Sequence, residues 1–488
     1  YIVDLVNLIG VMRSPFQNEF RRTRRMPVSA RRVFGFLVLG LGTLVGPLDS
    51  SVNIAFPFIT SAFGVPLADI RWVIVSYVLT YCSLMLVFGK LGDLFGHKRI
   101  FTAGLAVSLV SFLLCAGATE FEWLLAFRVM QGVGAALVLS CGPAIATSLF
   151  PESQRSRAVG IYLMMFSVGG VLGPTIGGIL VAVWDWPSVF WFRAPISLFT
   201  LLLVFILPNP PRNPTTVGFD TMGAVLLAVA LSAFLLTITQ LQHAAQNLLL
   251  LIGPCVLAAG SAWLYVRRAT SHPSPIIRPG VFRNIDFTVL NLANIFVNLT
   301  WFAIMLLVPY YLSVLSGLSV GIGGFVLAIS AATTMVVSPI GGWLIGRFAA
   351  NRMAFVGIVV VVFGSFAIGH WGDTPGVFGM GWPLLLSGFG VGLFQVAYMS
   401  IVTGGLPASE RGVSGSLALL TRTIGVVGSA SFLTWIHASL AAKHRATGAS
   451  EAEAFQSAFQ STFAAAGALL LVFLAISLLQ PGIWFGRT

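Results

Sequence analysis

GKLGDLFGHKRIF, residues 89–101, returns later in the chain as GWLIGRFAANRMAF, residues 342–355. Gly89 aligns with Gly342, Leu91 with Leu344, Phe95 with Phe348 and Arg99 with Arg352. A second pair aligns at nearly the same separation without gaps: Gly132 with Gly388, Gly134 with Gly390, Pro151 with Pro407 and Arg155 with Arg411. Loop chemistry repeated at one long period marks a duplicated unit.

The sequence around these loops says what the unit is made of. Hydrophobic residues make up 57% of the 488-residue chain, charged residues 9%, and the mean hydropathy is +0.94. A water-soluble globule of that composition could not cover its surface with polar groups. About 20 apolar residues cross a bilayer as a helix. On that criterion, spans are expected near 33–60, 68–89, 100–117, 121–149, 157–182, 188–207, 221–240, 248–266, 286–314, 319–345, 353–370, 378–403, 412–441 and 458–480. The runs are too long and unbroken for barrel strands of alternating polarity. The expected fold is an all-α polytopic membrane protein with fourteen spans. Six-helix bundles at 33–207 and 284–480 flank a linker, 208–283, that carries an inserted two-helix hairpin.

Placement of charge bears on partners and orientation. A net charge of +12 invites a nucleic-acid reading. The bases instead collect in alternate connections, among them Arg21, Arg22, Arg24, Arg25, Lys90, Arg155, Arg347 and Arg411, whereas the opposite connections hold Arg71, Lys443 and Arg445. The positive-inside rule then puts both termini in the cytoplasm, with membrane lipid and not nucleic acid as the surrounding partner. Residues 1–32 pair an apolar stretch with the run RRTRR, which suits either an interfacial helix on anionic lipid or a disordered tail. Residues 481–488 read as a cytoplasmic tail. No cleavable signal peptide is seen at a start that is Tyr1, not Met. The four cysteines, Cys82, Cys115, Cys141 and Cys255, sit singly in apolar runs, so neither disulfides nor a metal site is indicated. No Ser/His/Asp grouping, metal-ligand spacing or P-loop is present, which disfavours an enzyme and an ATP-driven pump.

Charges stranded inside apolar runs then carry the functional reading. LDSSVNIAFP (48–57) places Asp49 near the middle of its span. A carboxyl that deep is costly as a charge, which suits it to gaining and losing a proton; an acid permanently paired with a neighbouring cation is the alternative. Asn53, four residues on, shares its helical face and is a candidate hydrogen-bond partner. RVMQG (128–132) embeds Arg128, which stays charged and so should face the protein interior; snorkelling to an interface is the alternative. GGVLGPTIGG (169–178) spaces Gly169, Gly173 and Gly177 on one face, with Gly178 doubling the last and Pro174 expected to bend the helix. GVSGSLALLTRTIGVVGSA (412–430) embeds Arg422, open between meeting substrate and pairing with helix-end carbonyls.

Together these stretches resemble the major facilitator superfamily, and within it the fourteen-helix drug:proton antiporters. The resemblance spans about 33–480. It implies alternating access, with no cofactor and the proton gradient as driving force. Lipophilic or lipid-like small molecules and protons would be the cargo, and an accessory periplasmic adaptor is a partner the family allows. The likeliest setting is a bacterial inner membrane. The resemblance makes Asp49 and Arg128 the proton-coupling pair. It makes the 89–99 loop a gate whose signature positions are Gly89, Asp93, Gly96, Lys98 and Arg99, and GPxxGG the antiporter motif. Asn53, Gln131, Arg193 and Arg422 are the substrate-cavity candidates. The chain departs from the pattern in three places. Leu94 and Gly346 each replace a charge of the loop signature, and Leu384 stands where the second half would repeat Arg128. Within WDWPSVFWFRAPIS (184–197), Arg193 takes a position that is usually Asn, and it either snorkels outward or turns the cavity toward anionic or zwitterionic amphiphiles. A lipid or lysolipid flippase on the same scaffold is the alternative function.

Overall fold

The computed structural model describes residues 28–65, 69–207, 219–240, 248–315, 320–372, 376–405 and 411–486. Expectations for the amphipathic start through residue 27, for residues 208–218 and 241–247 of the linker and for the last two residues lie outside that set. Among the described residues the chain is helical and has no strand. The elements are α1 (Val28–Leu44), a 3-10 turn Pro47–Ser50, α2 (Ser51–Phe63), α3 (Arg71–Phe95), α4 (His97–Ala116), α5 (Phe121–Ser148) and α6 (Arg155–Trp184). Next come α7 (Ser188–Trp191), α8 (Arg193–Leu203), α9 (Thr221–Gln240), α10 (Leu248–Ser271), α11 (Ile285–Val314), α12 (Val320–Leu344) and α13 (Ala350–Gly369). The chain closes with α14 (Gly376–Gly405), α15 (Arg411–Gly428), a π segment Ser429–Leu433, α16 (Thr434–Ala446), α17 (Glu451–Ser477) and α18 (Gly482–Phe485).

Twelve helices among the described residues are long and apolar enough to span a membrane, two fewer than expected. The stretch near 188–207 is short and interrupted at Phe192, between the prolines Pro187 and Pro195. α10 forms over Leu248–Ser271 but is not among the twelve; its last turns carry Arg267 and Arg268. Helix 412–441 is one span as expected, though its middle is the π segment. The outer surface is apolar: Phe378 is 86% and Leu479 82% exposed. Large apolar side chains exposed to that degree suit contact with lipid tails.

The structure divides into two compact units. The first comprises Tyr1–Ala224, His272–Ile277 and Leu406–Leu417, and the second comprises Val225–Ser271, Arg278–Gly405 and Ala418–Thr488. In the first, α5 packs between α3 and α4. A Cβ on Gly132 would lie 2.8 Å from the Tyr77 carbonyl of α3, and one on Gly134 would lie 2.9 Å from Ser108 N of α4. In the second unit α14 packs between α12 and α13. Gly388 there meets the Ser330 carbonyl of α12, and a Cβ on Gly390 would lie 2.8 Å from Val361 N of α13. The two glycines that the sequence repeats therefore do the same work in each unit. They let three helices approach backbone to backbone, where any side chain would hold them apart.

Candidate functional site

Asp49 sits where the first span is interrupted. Pro47 opens the 3-10 turn that carries it, and proline has no N–H to continue a helix from α1. The glycine face of α6 closes over this turn. Cβ atoms would lie 2.7 Å from Pro47 Cγ on Gly169 and 2.9 Å from Ser51 Cα on Gly177, while Gly173 meets Ser50 Oγ. Gly170 and Gly178 face open space. α6 remains helical through Pro174. The GPxxGG stretch thus forms the wall behind the interruption.

The Asp49 side chain is 13% exposed and receives four hydrogen bonds. Arg128 donates Nη1 to Oδ1 at 2.6 Å and Nη2 to Oδ2 at 2.8 Å, a two-pronged pairing that fixes the carboxylate plane. Gln131, one turn further along α5, donates Nε2 to Oδ1 at 2.8 Å. Arg193, from the start of α8, donates Nη1 to the same Oδ1 at 2.7 Å. Both arginines are fully buried. Arg128 is held by the Val73 carbonyl (2.8 Å), by Gln131 Oε1 (2.7 Å) and by the ring of Tyr77, 4.4 Å from its guanidinium. Arg193 donates Nε to the Val189 carbonyl at 3.0 Å and lies 4.6 Å from the Phe112 ring centroid. An apolar cluster that includes Val52, Val73, Cys115, Val189 and Phe190 surrounds this network, so its charges meet few competing water hydrogen bonds.

The four substrate-cavity candidates fall into three placements. Gln131 and Arg193 join Asp49. Asn53 makes no described contact with it and is exposed, because the 3-10 turn disrupts the α-helical i, i+4 spacing that would have brought the two together. Arg193 is buried in the cluster and does not snorkel. Arg422 is half-buried on α15 in the second unit. Leu384, at the position equivalent to Arg128, is fully buried, and the fully buried polar side chains described in that unit are neutral. Asn294 donates to Thr421 Oγ1 (2.9 Å) and the Ala418 carbonyl (3.0 Å), and Gln395 donates to Asn294 Oδ1 (3.0 Å). Tyr398 donates to Asn291 Oδ1 at 2.9 Å.

The loop signature is also built. Asp93 accepts the amides of Gly412 (2.9 Å) and Val413 (3.2 Å), the first-turn N–H groups of α15, where the helix dipole favours an anion. His97 Nε2 lies 3.2 Å from Asp93 Oδ1. A Cβ on Gly89 would lie 2.7 Å from the Gly412 carbonyl, and Gly96 takes φ +102°, open to glycine alone at little cost. Lys98 donates to the carbonyls of Phe205 and Leu207 at 2.9 and 2.7 Å, and Arg99 is exposed. In the second copy Arg347 lies on the Trp343 ring, 3.9 Å from its centroid. Tyr77, Phe112 and the carbonyls of Val73 and Val189 complete the site without any sequence signal, since an aromatic or a backbone carbonyl within an apolar run looks like its neighbours.

The Major Facilitator Superfamily pattern matches residues 38–430. The chain belongs to that superfamily. It is 28% identical over 410 residues to the riboflavin transporter RibZ of Clostridioides difficile, covering 83% of this chain and 88% of that one. To the multidrug resistance protein Stp of Mycobacterium tuberculosis (strain CDC 1551 / Oshkosh) it is 27% identical over 419 residues, covering 83% and 76%. To the methylenomycin A resistance protein of Bacillus subtilis it is 30% identical over 327 residues, covering 66% and 70%. Among solved structures, the human organic anion transporter MFSD10 superposes with TM-score 0.64 at 18% identity, covering 92% of this chain and all of that one. The proton:xylose symporter XylE gives 0.62 at 14%, covering 94% and 97%. Those structural likenesses define the fold. The chain is therefore a polytopic superfamily transporter and not an enzyme.

Proposed function

We propose that this transporter is a proton-coupled exporter of lipophilic or amphipathic small molecules, an antiporter working by alternating access. The observation that carries the reading is the single carboxylate of Asp49, deep in its span and bound by three side chains. Oδ1 takes three of the four donors, so Oδ2, with one, is the oxygen with room for a proton. Protonation removes the charge that Arg128 and Arg193 share and loosens both, while release of the proton draws them back. Asp49 must differ in proton affinity between the two access states for that switch to drive transport. Each pH unit then offers about 1.4 kcal/mol per proton, and each 100 mV about 2.3 kcal/mol per net charge moved. Multidrug and antibiotic resistance relatives support small-molecule export.

The asymmetric basic connections support cytoplasmic termini in a bacterial inner membrane, and a fourteen-span topology would require α10 and the 188–207 stretch to cross as well. The cargo enters the proposal as a lipophilic molecule exchanged for protons, with no cofactor and with a periplasmic adaptor as an accessory only. The test is substrate-induced proton release from the purified protein and dye efflux from proteoliposomes across a panel of cationic, neutral and anionic amphiphiles. Flipping of a labelled lysolipid without efflux of any dye would replace this reading with the lipid flippase.

A further inference from the structure

Asp49 does not balance its partners. One carboxylate faces two guanidinium groups, which leaves one excess positive charge on two fully buried arginines. Among the described residues, no second carboxylate pairs with either arginine. The other titratable groups around it are the phenol of Tyr77 and the thiol of Cys82 on α3 and the thiol of Cys115 on α4, none of which is an acid at neutral pH. Against the turn that carries Asp49, α6 packs Gly169, Gly173 and Gly177.

The donors are not all used. Arg128 spends Nε, Nη1 and Nη2 on Val73, Gln131 and Asp49. Arg193 spends Nε and Nη1, but its Nη2 is buried and, among the described residues, has no hydrogen-bond partner. A buried guanidinium nitrogen left open is expensive, and so is an unbalanced charge out of water. The imbalance grows in the working cycle. When Asp49 takes its proton, two cations remain with no anion at all.

Resting on the reading of Asp49 as the proton site, we infer that Arg193 seats a monoanion on Nη2, and that this anion travels with the proton. The proton-loaded return step then carries a neutral pair, H⁺ and anion, instead of a lone charge. Linkage makes the effect reciprocal: the anion tightens proton binding, and the proton tightens anion binding. The chemistry fits a small inorganic anion such as chloride; an acidic group on the exported substrate would move against the proton and could not accompany it.

The experiment measures proton uptake into proteoliposomes of the full chain under a fixed pH gradient, with the potential clamped by potassium and valinomycin. Chloride is compared with gluconate at equal ionic strength. With an uncharged substrate, uptake should be about tenfold faster in chloride, the worth of one charge-assisted hydrogen bond. In Arg193→Asn the chloride-to-gluconate ratio should fall to about one, whatever the absolute rate. Arg193→Lys, which keeps the charge but lacks the second nitrogen, should also lose the chloride preference. The thermal midpoint of the wild-type protein in chloride against gluconate reads binding without any variant. Proton movement that is coupled but identical in both salts, with equal midpoints, overturns the anion. Absence of proton movement in every salt overturns the Asp49 reading, and this one with it.

Discussion

Gln131 stands one turn beyond Arg128 on α5 and both reach the same oxygen of Asp49, Gln131 at 2.8 Å and Arg128 at 2.6 Å, while Gln131 Oε1 accepts the arginine at 2.7 Å. The amide is therefore a bracket between a cation and its carboxylate, and it leaves Arg128 one permitted orientation. Replacing it with Leu keeps the volume and removes the bracket. Gln131→Leu should slow proton-coupled efflux about tenfold while the protein stays folded, read from efflux rates at matched protein per vesicle.

Asp49→Asn removes the charge that both arginines share. Proton-driven export should be lost, because an amide cannot exchange a proton in this range. Stability should also fall by about 3–5 kcal/mol, since two buried cations lose their anion. Substrate-induced proton release and a detergent thermal melt check the two effects separately. Undiminished proton-coupled transport in that variant would sink the assignment.

Arg128→Lys keeps a positive charge and loses the fork. One ammonium cannot reach Asp49 Oδ1, Oδ2 and the Val73 carbonyl together as Arg128 does. Efflux should drop at least about tenfold, with the substrate concentration for half-maximal rate nearly unchanged, because the damage is to the coupling pair.

The glycine face of α6 offers a test with its own control. Gly177→Val drives a branched side chain into the Ser51 backbone and should lower stability by about 1–3 kcal/mol. Gly178→Val points into open space and should change the thermal midpoint little.

Asp93→Asn weakens the cap on the first turn of α15. Amide exchange at Gly412 and Val413 should quicken about fivefold, for a loss near 1 kcal/mol, with little change at residues 420–428. Equal protection at all of these amides would show that the contact contributes nothing.

Much of this was legible in the sequence because a charge inside an apolar run is conspicuous whatever the tertiary structure does. Asp49, Arg128, Arg193 and Arg422 stand out on composition alone, and the repeated glycines of the two halves locate the close helix crossings. Direction was harder to read. Arg193 two turns into a helix could point outward or inward, and only the packing of Phe112 and Phe190 around it decides for burial. Asn53 was misread because i, i+4 reasoning assumes one continuous helix, and the 3-10 turn at Pro47–Ser50 breaks that assumption. Gln131 gave no hint that its partner would be the carboxylate and not a substrate. The span count failed where hydropathy persists through an interrupted helix, at Ser188–Leu203.

The two units share a scaffold and differ in chemistry. Leu384 fills with hydrocarbon the place that Arg128 fills with charge, beside the same pair of glycines. A duplicated gene that keeps its engine in one copy leaves the other copy open to drift. On the proposed function, exchanges at Gln395 or Thr421 cost hydrogen bonds among neutral groups and leave the ion pair of the first unit intact, so new cargo preferences can be selected in the second half one residue at a time while the first keeps its grip on the proton.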